Sequence, residues 1–260
     1  QPKQSIDAST ALNTPENIKT ALVGAYLQAR SANTFGSQFN EFSELLAATS
    51  DMTFIGTYAQ PREIIQKEIT VTNSYVEGTW IDAYQLINIC NTLLAPETLA
   101  VLESEEDLAL VEGEAKFLRG WVYFELARLF GLPYEPGVQN TQPAVPVILT
   151  PTVDVEDAIE VARNSVEDCY DQAISDLTSA RDLLPEDNGV YATTYAASAV
   201  LARLYLQQGE FEAAATEASK VIESGLFSLT ETPLQAFNFD GASPEAVFAL
   251  QNNVASNTSW

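Results

Sequence analysis

Carboxylates are the most abundant reactive side chains in this 260-residue chain, with 36 Asp and Glu against 12 Lys and Arg and no histidine at all. Two neighbouring carboxyl groups, one protonated and one ionised, are the equipment of glycoside hydrolysis. Glu112 with Glu114 and Glu103 with Asp107 have suitable sequence spacing. Both pairs fall on helix faces among basic neighbours, and neither is flagged by an apolar setting that would keep one partner protonated, so both read as solvated charges. The missing histidines remove Ser-His-Asp and Cys-His catalysis and every zinc site that needs imidazole. Cys90 and Cys169 are the only cysteines and form no CxxC or ligand-spaced cluster. Each lies in an apolar helical stretch, as a buried thiol or as half of a single bridge. No catalytic residue, metal ligand or cofactor is expected.

Residues 52–73 carry a different chemistry. Phe54, Tyr58, Gln60, Arg62 and Asn73 are aromatic or hydrogen-bonding and show no helical period. Aromatic faces pack on the C–H faces of sugars, while amides and guanidinium groups serve sugar hydroxyls. Loop aromatics also serve simply to pin a loop down. Trp260, beside Asn257 and Thr258, is a further candidate of the same kind. The net charge of -24 repels phosphate backbones and anionic head groups, so nucleic acid is not an expected partner.

The elements that must position these residues are helical. Thr14-Pro15-Glu16 has the chemistry of a helix start and predicts a helix to about Ala32. Phe39, Phe42, Leu45 and Leu46 predict a short second helix ending near Asp51. A long surface loop follows from Met52 to about Asn73, with a helical turn at Pro61 to Lys67. Trp80, Tyr84, Ile87, Asn91 and Leu94 then recur every three or four residues up to Pro96. Ser104 to Asp107 resembles a capping box and opens a helix to Gly131. Ala115, Leu118, Val122, Leu126 and Leu129 share one side of that helix, and Phe117, Trp121 and Phe124 lie nearly opposite, so it must be covered twice.

Five prolines in residues 133–153 mark an ordered connection with at most one small strand, Val145 to Leu149. Helices resume over Ser165 to Leu184, Ala192 to Gln208 and Phe211 to Ser224; Leu226 to Leu229 and Val247 to Leu250 read as short strands. Leu201, Ala202, Tyr205, Gly209, Phe211 and Ala214 match the tetratricopeptide signature at its proper offsets. The expected fold is mainly α: a single domain over 1–260, stacked from tetratricopeptide-like units at about 14–50, 74–131 and 163–225, with long loops and a few short strands.

Two longer patterns carry a family resemblance: Trp80 with Ala83, Tyr84, Ile87 and Asn91, and Glu114-Ala115-Lys116-Phe117-Leu118-Arg119 leading to Tyr123, Leu126, Arg128, Phe130, Gly131 and Pro133. Val145 to Pro151, Tyr170 to Pro185, Ala197 to Gly225 and Glu245 to Phe248 continue in order. The chain resembles the SusD/RagB family of outer-membrane nutrient-binding lipoproteins from Thr14 onward. The resemblance implies a non-catalytic glycan binder on the outer face of a Bacteroidetes-type outer membrane, held by an N-terminal lipid anchor and paired with a TonB-dependent transporter similar to SusC. It also implies that the loop between the early helices contributes to the glycan site. Family members are usually longer, their later loops help to form that site, and the lipid-attachment cysteine is not in this sequence, so a chain cut short is expected. Glu114 and Arg119 are expected in a structural ion-pair network, and Trp80 and Trp121 in the core. Two other readings stand beside this one: a tetratricopeptide module that binds protein and no sugar, and, less favoured, a helical carbohydrate-active enzyme.

Overall fold

A computed structural model describes residues 12–49, 52–153, 160–237 and 243–251. More than half of these are helical, and the helix starts follow from their caps. Helix α1 (Pro15–Ala29) begins where the Thr14 hydroxyl accepts from Asn17 N. It stops short of Ala32 because the buried Thr34 hydroxyl turns back to donate to the Ala29 carbonyl at 2.9 Å. Helices α2 (Gln38–Ala47) and α3 (Ala59–Gln66) follow, the latter ending at Lys67 in the left-handed region, φ 59°. Helix α4 (Ser74–Leu93) is capped by Asn73, and α5 (Pro96–Leu99) is a single turn. Helix α6 (Glu105–Phe130) is capped by Ser104, which accepts from Asp107 N. The reciprocal capping box forms one helix later, between Ser165 and Asp168 at the start of α7 (Val166–Leu183). Helix α8 (Thr194–Gln208) is capped by Thr193 and stops at Gly209, whose φ of 78° leads into α9 (Phe211–Glu223).

Helix α6 is the axis of the molecule. Phe117, Leu118, Val122, Tyr123, Phe124 and Leu126 are all fully buried, because α1 and α4 cover one side and α7 the other. Its approach to α7 depends on Gly113 and Gly120, two turns apart. A Cβ on Gly120 would stand 3.0 Å from the Ala173 carbonyl, and one on Gly113 would stand 2.9 Å from Leu184 Cδ2. From α7 the stack continues through α8 to α9.

A buried bidentate ion pair locks this axis. Arg119 donates through Nε and Nη2 to the Asp176 carboxylate, 2.8 Å each, and through Nη1 to Asn91 Oδ1 at 2.8 Å, joining α4, α6 and α7. Glu114 does not share this network, contrary to expectation. It accepts from Asn188 at 2.9 Å and lies beside the Tyr26 hydroxyl, with no basic partner among the described residues. Burial, partly offset by the Asn188 and Tyr26 hydrogen bonds, holds its carboxyl above the ordinary range. Cys90 and Cys169 are separate buried thiols, and burial pushes Cys90 up to about 12.

The expected strands are absent among the described residues, where the only β-pairing is an isolated bridge between Pro143 and Ser165. Side chains take the ladder's place. The Val145 to Leu149 carbonyls and those nearby accept from Tyr84, Tyr123 and Asn91, and Ile148 N donates to the Tyr123 hydroxyl at 2.8 Å. Leu226 to Leu229 and Val247 to Leu250 also fail to pair as strands. Ser228 N reaches the Pro244 carbonyl, and the Glu245 carboxylate then accepts from both Thr230 N and Thr230 Oγ1, which ends the pairing.

Candidate functional site

The stretch 52–73 is less of a loop than its composition implies, since α3 occupies its middle. Phe54 is half-buried, and its ring lies so close to Gly56 that a Cβ there would meet it at 2.3 Å. Arg62 donates to the Gly56 carbonyl at 2.9 Å, and Gln60 donates to Ser74 Oγ at 3.2 Å. Asn73 is 3% exposed and fully engaged. Its Nδ2 donates to Gln60 O and Glu63 Oε2, and its Oδ1 accepts from Tyr75 N and Val76 N as the α4 cap. The Asn73 and Thr70 hydrogen bonds hold the Glu63 carboxyl below its usual range. Tyr58 is 67% exposed, and Arg62 is exposed as well. Gln60 and Asn73 therefore meet at the α3–α4 joint, Arg62 and Phe54 meet around Gly56, and Trp260 lies outside the described residues.

A second region was not singled out by composition. Arg30, Phe35, Asn40, Trp121, Glu125 and Arg203 line a pocket of about 190 Å³, with Phe39, Phe248 and Leu250 completing its wall. Phe35 stacks on Trp121 with ring centroids 3.8 Å apart, and Phe117 and Phe248 pack against the same indole. Trp121, and Trp80 between Tyr84 and Phe130, are partly buried and pack against the core. The Trp121 Nε1–H is shielded from solvent and has no hydrogen-bond acceptor among the described residues. Glu125 is buried and bridges Arg128 and Arg203, and both guanidinium groups sit over the Phe124 ring at 5.4 and 5.9 Å. Arg30 donates to the Gln251 carbonyl at 2.7 Å.

Glu112 pairs with Lys116 at 2.6 Å and Asp107 with Lys19 at 2.7 Å, each partly exposed, whereas Glu114 is buried and is not the solvated charge expected. Glu125 is committed to two arginines. Among the described residues no group of His, Cys, Asp and Glu could hold a metal ion, and no helix is long and apolar enough to cross a membrane.

Known proteins share this architecture. A SusD-like family model described as "Starch-binding associating with outer membrane" matches residues 1–206. SusD-like protein P2 of Formosa agariphila is 25% identical over 213 residues, covering 81% of this chain and 40% of its own length. A SusD superfamily protein from Bacteroides thetaiotaomicron superposes with a TM-score of 0.82 at 25% identity, covering 94% of this chain and 54% of that one. A SusD superfamily protein from Bacteroides fragilis gives 0.81 at 25% identity, with 94% and 58% covered. The chain therefore spans from two fifths to somewhat over half the length of these relatives. With a family model matching most of its residues and the same helical stack in its solved relatives, the chain belongs to the SusD-like family.

Proposed function

We propose that this chain binds glycans without cleaving them, as part of a surface protein that is held by an N-terminal lipid anchor on the outer face of an outer membrane. That protein would pass its sugar to a TonB-dependent transporter similar to SusC. The observation that carries the reading is the match of residues 1–206 to a family described as starch-binding. The aromatic pocket beside Trp121 supports it, because rings beside amide and guanidinium groups in one concavity are what a sugar needs. Residues 52–73, with Tyr58 at their surface, supply a second contact region. Delivery to a transporter requires a docking face, and α9 leaves Phe211 and Ile222 68% and 75% exposed.

Affinity electrophoresis against starch and a panel of plant, algal and bacterial polysaccharides tests the binding. Retardation by at least one glycan, with no new reducing ends after long incubation, is the expected result. Retardation by none would remove the reading in favour of a protein-binding module. Release of oligosaccharides would make the chain an enzyme.

A further inference from the structure

The class of sugar follows from where this chain spends its few cations. Next to the aromatic pocket lies a second hollow of about 450 Å³, and the same three helices line both. Helix α2 presents Asn40 to the first and Ser43 to the second; α6 presents Glu125 and then Arg128; α8 presents Arg203 and then Gln207. Each step is three or four residues, one helical turn or about 5.4 Å. The two hollows thus follow one another along the same three helices and are read as one groove, with Glu125, lining the first, held by Arg203 of the first and Arg128 of the second.

The described lining of the groove holds more cations than anions in a molecule that carries -24 overall. Arg30, Arg128 and Arg203 line it, and among the described residues Glu125 is the only carboxylate of the lining, which leaves an excess of two formal positive charges there. Glu125 shares its one charge between two guanidinium groups, and its contact to Arg203 is long, 3.4 Å. The Arg203 side chain is 53% exposed, so most of its donors face the groove or solvent. Among the described residues Arg30 has only a neutral carbonyl as its side-chain partner. Guanidinium groups prefer planar or tetrahedral oxyanions, which they grip with two parallel hydrogen bonds. At physiological ionic strength the Debye length of about 8 Å screens the distant surface carboxylates and leaves these nearby cations to decide.

We infer that the groove between α2, α6 and α8 takes an acidic oligosaccharide, one whose sugars carry carboxylates or sulfate esters. Arg203 and Arg30 bind the anionic groups, while the rings of Phe35 and Tyr134 take the sugar faces. The inference rests on the glycan-binding reading and adds the charge of the ligand to it.

Titration calorimetry on the full chain at physiological salt, with oligogalacturonate, a sulfated galactan oligosaccharide and a neutral galactan oligosaccharide of equal length, tests it. At least one acidic probe should bind about ten-fold tighter than the neutral one, and the better of the two identifies the anion. Arg203→Gln should weaken acidic binding by about ten-fold and leave the melting temperature in place, whereas Arg203→Lys should recover part of the loss. Neutral sugar bound as tightly as acidic would overturn the inference and leave the glycan reading standing. Acidic binding untouched by both Arg203→Gln and Arg30→Gln would overturn the assignment of the groove. Failure of all three probes and of starch would overturn both readings.

Discussion

The stretch 52–73 and the α2–α6–α8 groove hold the same kinds of residue and put them to opposite uses. In the first, amide and guanidinium groups close on one another and on nearby backbone: Asn73 on Gln60 and Glu63, Arg62 on Gly56, Gln60 on Ser74. In the groove, the backbone is already satisfied inside three helices, and Arg203, 53% exposed and only 3.4 Å from its carboxylate partner, keeps donors for the groove or solvent. A short irregular segment consumes its polar side chains to hold its own shape. Packed helices release theirs for a ligand.

The comparison breaks most visibly if the groove's rigid frame is removed. Arg119→Met should leave Asp176 buried and unpaired, with its charge uncompensated between α6 and α7. A loss of about 3–5 kcal/mol is expected in chemical denaturation. An unchanged midpoint would show that the ion pair does not fix the axis.

Next in size, Asn73→Ala should cost about 1 kcal/mol through the lost cap of α4. Glycan affinity should stay the same, because all four hydrogen bonds of the Asn73 side chain are internal. Weaker sugar binding at unchanged stability would return Asn73 to the ligand site.

Glu114 gives a change of sign. Its folded carboxyl titrates above the unfolded value, so the folded state holds its proton longer as pH rises. Stability is therefore unaffected well below the unfolded value, near 4.5, and is lost as pH climbs from there through the folded value. Glu114→Gln should raise the melting temperature at pH 7, and the gain should vanish at acidic pH. A gain equal at both pH values would mean that folding does not raise the Glu114 carboxyl.

The smallest effect on the fold is expected at the open edge of the loop. Tyr58→Ala and Arg62→Ala, made separately, should change stability by less than ~0.5 kcal/mol and weaken glycan binding. If both variants bind as the parent does, residues 52–73 are structural and the groove carries the sugar alone.

Much of the helical frame was legible because caps and periodicity are local. Thr14, Ser104 and Ser165 each open a helix where their side chains predict one, and Gly209 turns the chain between α8 and α9. Asn73 illustrates what such reading leaves out. Set in a stretch without periodicity, it has the chemistry of a ligand residue, and because Ser74 starts α4 it is also that helix's cap. Val145 to Leu149 has strand composition, yet tyrosine and asparagine side chains from α4 and α6 claim its backbone first.

What the sequence determined by itself is the set of helices, their apolar faces and the scarcity of cations, all of which depend on neighbours a turn or two away. Tertiary structure alone decided that Asn40, Trp121 and Arg203 share one pocket and that Arg128 and Arg203 close on Glu125. The first three lie on helices widely separated in the chain, and no local pattern records which helix faces which. That choice is made by the close approach at Gly113 and Gly120 and by the shape of the buried faces, which act only once the stack has formed.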